Sequence, residues 1–125
     1  MIHELETVHG IRVNATAMMS PHQCLLAALA GAAYVSLFAG RVNNMGYDSR
    51  AEFGKTRALL DACGLPAKII AASIREIVNV SEWLVAGAHI VTVTPEILRR
   101  MIVHPYSKET VRQFLGDAAQ LLGGA

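Results

Sequence analysis

The stretch "AAYVSLFAGRVNN", Ala32 to Asn44, decides the fold. Tyr34 to Phe38 is a short apolar run, rich in β-formers and broken by a single hydroxyl, Ser36. Its length suits a strand buried on both faces better than a helix. Small residues follow, then Gly40, then one guanidinium, Arg41. Just upstream, "CLLAALAG" (Cys24–Gly31) has helix-forming composition and ends on glycine. Read together, Cys24 to Gly40 has the hydropathy of a membrane span, but it is short for one and changes character at Gly31. A buried helix running into a buried strand accounts for it, and no membrane association is expected.

Working outward, the same strand–helix rhythm repeats. Strands are expected at Ile11–Ala17, Ala33–Phe38, Ala67–Ser73 and His89–Thr94. The first ten residues read as the tail of a helix with an exit at Gly10. Ser20 is a candidate N-cap with Pro21 at the first helical position, opening a helix that ends at Gly31. A polar loop is expected after the second strand. Helices are expected at Ser49–Gly64, Glu76–Gly87, Pro95–His104 and Ser107–Leu122. Near-continuous apolar strands alternating with helices predict a parallel sheet built from right-handed crossovers. "AGAAYVS" (Ala30–Ser36) and "AGAHIVT" (Ala86–Thr92) form a weak internal repeat of that unit.

Side chains two apart on a strand share a face. Asn14 and Thr16, Ser36 and Phe38, Ser73, and Thr92 and Thr94 therefore put small or polar groups on one face, near the strands' C-terminal ends. The other face is expected to carry Val13, Val35, Leu37, Ile70, Ala72, Val91 and Val93. In a parallel barrel the first set looks inward, at the end where such barrels hold their sites.

The chain has 125 residues, 53% apolar and 17% charged, with net charge +1. That is one domain, 1–125, with ample core and no basic face for nucleic acid. Cys24 and Cys63 are expected to be buried, reduced thiols of a cytoplasmic protein. The five histidines lack ligand spacing, so no metal is expected, and no cofactor either. The polar N-terminus does not read as a leader peptide. Trp83 and the methionines read as core.

"VNATAMMS" (13–20), "AGAAYVSLFAGR" (30–41), "AASIR" (71–75), "AGAHIVTVTPEIL" (86–98) and "HPYSKETVRQF" (104–114) together resemble the transaldolase family, including its fructose-6-phosphate aldolase relatives. The resemblance runs in order along nearly the whole chain. It matches the fifth to eighth strands of that family's barrel and the C-terminal helix. It implies an α/β fold, half of a (β/α)8 TIM barrel: four parallel βα units and a C-terminal helix. It implies that Asn14, Thr16, Ser36 and Phe38 face a substrate, with Thr16 holding a proton-shuttling water. Phe38 is the residue of the dihydroxyacetone-transferring type. Arg41, Ser73 and Arg75 fall on the positions that bind the sugar phosphate. Paired guanidiniums and a hydroxyl suit a phosphate dianion.

The departures bear on activity. The family reacts through a Schiff base on a fourth-strand lysine, which would precede residue 1. Lys55 lies in an expected helix, Lys68 at the start of a strand and Lys108 at the start of the last helix. None is expected to project from a strand's C-terminal end, so no catalytic residue is assigned. Leu37 stands where the family has proline, and Asn43 and Asn44 where it has acids.

A half barrel leaves one sheet face and two edges uncovered, which parallel sheets rarely tolerate. Pairing of two copies about a two-fold axis would close eight strands, and a homodimer is the expected partner state. A complementary N-terminal half or the final helix folding across the sheet are the other ways to cover it. The expected function is a transaldolase-like protein of sugar-phosphate metabolism, inactive alone. The alternatives are a non-catalytic half barrel that binds a phosphorylated ligand or inorganic anion, and a structural remnant.

Overall fold

The computed structural model describes residues 1–123. The chain divides into two compact units, Met1–Val93 and Thr94–Ala125. The first contains α1 (Ile2–Thr7), β1 (Asn14–Met18), α2 (Pro21–Leu29), β2 (Tyr34–Phe38), α3 (Ala39–Asn44), α4 (Ser49–Ala62), β3 (Lys68–Ala72), α5 (Ile77–Val85) and β4 (Ile90–Val91). The four strands pair in chain order, every pair parallel. With helices following strands, this is the expected half of a (β/α)8 barrel. The second unit holds α6 (Pro95–Ile102) and α7 (Pro105–Gly123). Thr94 caps α6, its hydroxyl accepting from the Ile97 N–H at 3.3 Å, and Pro95 fills the first turn. Among the described residues no helix is long and apolar enough to cross a membrane.

One sheet face is packed by helices. It carries Ala15, Val35, Leu37, Ile69 and Ala71, all buried. α4 meets this layer with Ser49, Phe53, Thr56 and Leu60, a stripe at helical spacing. α2 adds Cys24, Ala27 and Ala28, and α5 adds Val80 and Trp83. Burial pushes the Cys24 thiol up to about 12, so it is an inert part of this core.

Register defines the other, open face. Asn14 pairs with Tyr34, Ser36 with Ile70, Phe38 with Ala72 and Ile70 with Ile90. Ile70 and Ala72 therefore lie on the open face, not on the helix face where alternation counted from Ser73 puts them. The cause is local: Ser73 has φ +63, a left-handed residue that breaks the alternation at the end of β3.

Other boundaries differ for equally specific reasons. β1 begins at Asn14 rather than Ile11. The Val13 N–H donates to the Glu6 carboxylate at 2.6 Å instead of to a strand. β4 is Ile90–Val91 only, shorter than the expected His89–Thr94, and pairs with β3 at Ile70 and Ala71. The segment after β2 is the short helix α3, not a loop. Cys63 and the methionines Met1, Met45 and Met101 are exposed, against expectation, since they fall at helix ends, in a turn or on an outer surface.

His89 precedes β4 and accepts from the Ile69 N–H through Nδ1 at 3.0 Å, standing in for a strand carbonyl. That bond needs the neutral imidazole. Burial, with Arg57 and Lys68 nearby, holds the His89 pKa below its usual value, against an opposing contribution from Asp61.

Candidate functional site

Of the site residues, Asn14 opens β1 and Ser36 sits in the middle of β2, while Phe38, Arg41, Ser73 and Arg75 lie at or just beyond the C-terminal ends of β2 and β3. Asn14 and Ser36 lie on adjacent strands, and the Ser36 hydroxyl donates to Asn14 Oδ1 at 2.9 Å. This cross-strand bond satisfies the buried Ser36 side chain and orients the amide on the open face. Thr16 is exposed, at the start of an irregularity in β1: register shifts between Ala15 and Met18, and Ala17 has φ +61. A left-handed alanine is uncommon. With Ser73, it makes two non-glycine residues in that region, both at the C-terminal end of a strand. Such strain gathers at functional sites.

Phe38 ends β2, half-buried on the open face, and its backbone starts α3. Arg41, one turn on, carries its guanidinium back over the Phe38 ring, 5.2 Å from the centroid. Its charge is thereby held at the top of the open face. Among the described residues neither Arg41 nor Arg75 enters a salt bridge. Both guanidiniums are exposed and free to take an anion.

Arg75 borders a polar cavity of about 200 Å³, together with Gly40, Asn43, Asn44, Glu76 and Asn79. Two of the amides are already engaged. Asn43 Oδ1 accepts from the Ser49 N–H at 3.0 Å, fixing the turn from α3 into α4. Asn79 Oδ1 accepts from the Glu76 N–H at 3.0 Å at the start of α5. Each amide thus has its NH2 group left to donate, so the wall offers donors beside Arg75, with one carboxylate, Glu76, among them.

The seven expected site residues divide accordingly. Asn14, Ser36 and Phe38 share the open face with Thr16 at its rim. Arg41 stands over Phe38, and Arg75 lies in the adjoining cavity, whose wall does not include Arg41. Ser73 lies between, half-buried, with its backbone against α3. Sequence reading missed Gly40, Glu76 and Asn79 as parts of this wall. Only Gly40 left a signal, as the single glycine between the strand and Arg41. The three lysines fall where they were expected. Lys55 is in α4, paired with Glu52 at 2.7 Å; Lys68 opens β3; Lys108 is in α7.

Comparison with known proteins places the chain in a family. A family model, "Transaldolase/Fructose-6-phosphate aldolase", matches residues 1–123. A probable transaldolase of Desulforudis audaxviator is 45% identical over 112 residues, covering 90% of this chain and 52% of that relative. A probable transaldolase of Shouchella clausii is 41% identical over 108 residues, covering 86% and 50%. The chain spans about half the length of the curated relatives it matches. Among solved structures, a lactate oxidase of Pediococcus acidilactici superposes with TM-score 0.56 at 21% identity, over 73% of this chain and 25% of that one. That likeness concerns the fold alone. The match along the chain, together with 45% identity to a probable transaldolase, makes this protein a member of the transaldolase/fructose-6-phosphate aldolase family.

Proposed function

We propose that this chain is the phosphate-binding half of a transaldolase-type barrel, acting in carbohydrate metabolism in the cytoplasm. In this reading residues 1–125 work as one half-barrel domain. Arg41, Ser73 and Arg75 hold the phosphate of a sugar phosphate, and Asn14, Thr16, Ser36 and Phe38 face its carbon chain. The observation that carries the reading is the open sheet face, which bears the hydrogen-bonded Asn14–Ser36 pair and is topped at its C-terminal end by Arg41, an arginine that enters no salt bridge among the described residues. Two guanidiniums and a hydroxyl match a dianion in charge and geometry.

The chain does not form a Schiff base by itself in this proposal. A lysine must reach the substrate carbonyl from within the barrel. Lys55 is spent on Glu52 outside the sheet, Lys68 is at the opposite end of β3, and Lys108 is in α7. Borohydride with fructose 6-phosphate should therefore leave the mass of the isolated chain unchanged. A reduced adduct on any of these lysines would overturn this part of the proposal.

We further propose that a second copy covers the open face, β1 of each beside β4 of the other, which satisfies both edges at once. The binding test is thermal unfolding in rising inorganic phosphate. At ten times Kd the ligand adds about 1.4 kcal/mol. That stabilisation should vanish in Arg41→Ala and in Arg75→Ala, with their unfolding in phosphate-free buffer little changed. Equal stabilisation in the variants would remove the site, and a monomeric mass at micromolar concentration would remove the dimer.

The second reading, a non-catalytic anion-binding half barrel, is favoured by the same absence of a placed lysine. It differs in predicting no adduct even when a relative's complementary half is supplied.

A further inference from the structure

Gly40 is the second residue of α3 and is buried. Its φ is not left-handed, so conformational freedom does not explain the glycine. Close approach does. A Cβ built on Gly40 would run into the Ser73 carbonyl oxygen and stand 2.9 Å from the Ser73 hydroxyl oxygen. The first turn of α3 thus rests directly on the residue that closes β3. That residue is held at φ +63, where a serine is strained. Two positions later the chain delivers Arg75, and Gly40 and Arg75 wall the same polar cavity.

We propose that Gly40 is a positioning residue for the anion site: by pressing on Ser73 it sets the β3–α5 turn, and through it Arg75, relative to the α3 turn that carries Arg41. The inference rests on the phosphate-binding reading above. It makes the two arginines one device. They come from different strand–helix turns, and the Gly40–Ser73 contact is the rigid link between those turns. A methyl group at residue 40 has a backbone carbonyl in its way, which cannot swing aside as a side-chain tip can. The Ser73–Arg75 turn must shift, and displacement of a bound group by about an ångström is expensive for function.

The test separates positioning from packing. Phosphate affinity and unfolding midpoint are measured for the wild type, Gly40→Ala, Ser73→Gly and the double variant. Ser73→Gly removes the hydroxyl and lets the turn move, so the double variant should recover most of the stability lost in Gly40→Ala. Its phosphate affinity should stay about tenfold weaker than that of Ser73→Gly alone, because Arg75 remains displaced. If affinity returns together with stability, or if neither Gly40 variant folds, Gly40 is a packing residue and the inference is wrong. If the wild type shows no phosphate stabilisation, the phosphate reading falls and takes this inference with it.

Discussion

Phe53→Ala is expected to lower the unfolding free energy by about 3–5 kcal/mol, the range for removing a fully buried aromatic ring. Phe53 is completely buried on α4, and its ring lies 5.9 Å from that of Trp83 on α5, tilted by 40°. The pair joins the two helices. Gly87, at the exit of α5, tightens the same joint. Its φ of +127 suits glycine, and a Cβ there would come within 3.4 Å of the Phe53 carbonyl and 3.0 Å of the Arg57 Cβ. With helices closed this firmly, the cavity left by alanine cannot collapse, which puts the loss near the top of the range. At about 4 °C per kcal/mol the midpoint should fall by roughly 12–20 °C. Urea titration should show the lower midpoint with the slope unchanged. A loss below about 1 kcal/mol would mean that α4 and α5 do not pack through this ring. Phe38→Ala, half-buried on the open face, should cost much less in the isolated chain, which separates the helix-side core from the face proposed to receive a partner.

The parallel sheet was legible because its strands are continuous apolar runs, and a strand such as Tyr34–Phe38 has few other folds open to it. Caps were legible too: Ser20 before Pro21 acts as the N-cap, its hydroxyl accepting from the Gln23 N–H at 3.4 Å. The site residues were found mainly through the family motifs, since a hydroxyl or arginine near a strand end has no pattern of its own. What escaped was set by tertiary geometry. The left-handed turn at Ser73 moved Ile70 and Ala72 to the open face, and no local propensity marks a serine for φ +63. α3 escaped because six residues of mixed polarity carry no helical period. Gly40 was visible as a glycine, but its reason, the Ser73 carbonyl against it, lies more than thirty positions away.

Glu6 is another residue whose importance only the fold discloses. In the sequence it is one of several charges in a short terminal helix. In the structure its Oε1 accepts two backbone N–H groups, Val13 at 2.6 Å and Ala33 at 2.9 Å. Val13 and Ala33 each stand one residue before their strand, β1 and β2, and their carbonyls already accept from the neighbouring strands while their N–H groups go to Glu6. One carboxylate oxygen thus closes the N-terminal ends of both strands and ties α1 to them. Removing it leaves two part-buried donors unpaired, and bonds to a charged acceptor are the stronger kind. Glu6→Ala should therefore cost about 2–3 kcal/mol, with early loss of protection at the Val13 and Ala33 amides in hydrogen exchange. Glu6→Gln keeps an acceptor oxygen in place and should lose less than about 1.5 kcal/mol. This ordering distinguishes the hydrogen bonds from net charge. If Gln and Ala were equally destabilising, charge rather than geometry would be holding the strand ends. If both were neutral, α1 would contribute nothing to the sheet. The bonds predict that Ala loses most, Gln least, and that the effect is confined to β1 and β2, leaving the cavity beside Arg75 unchanged.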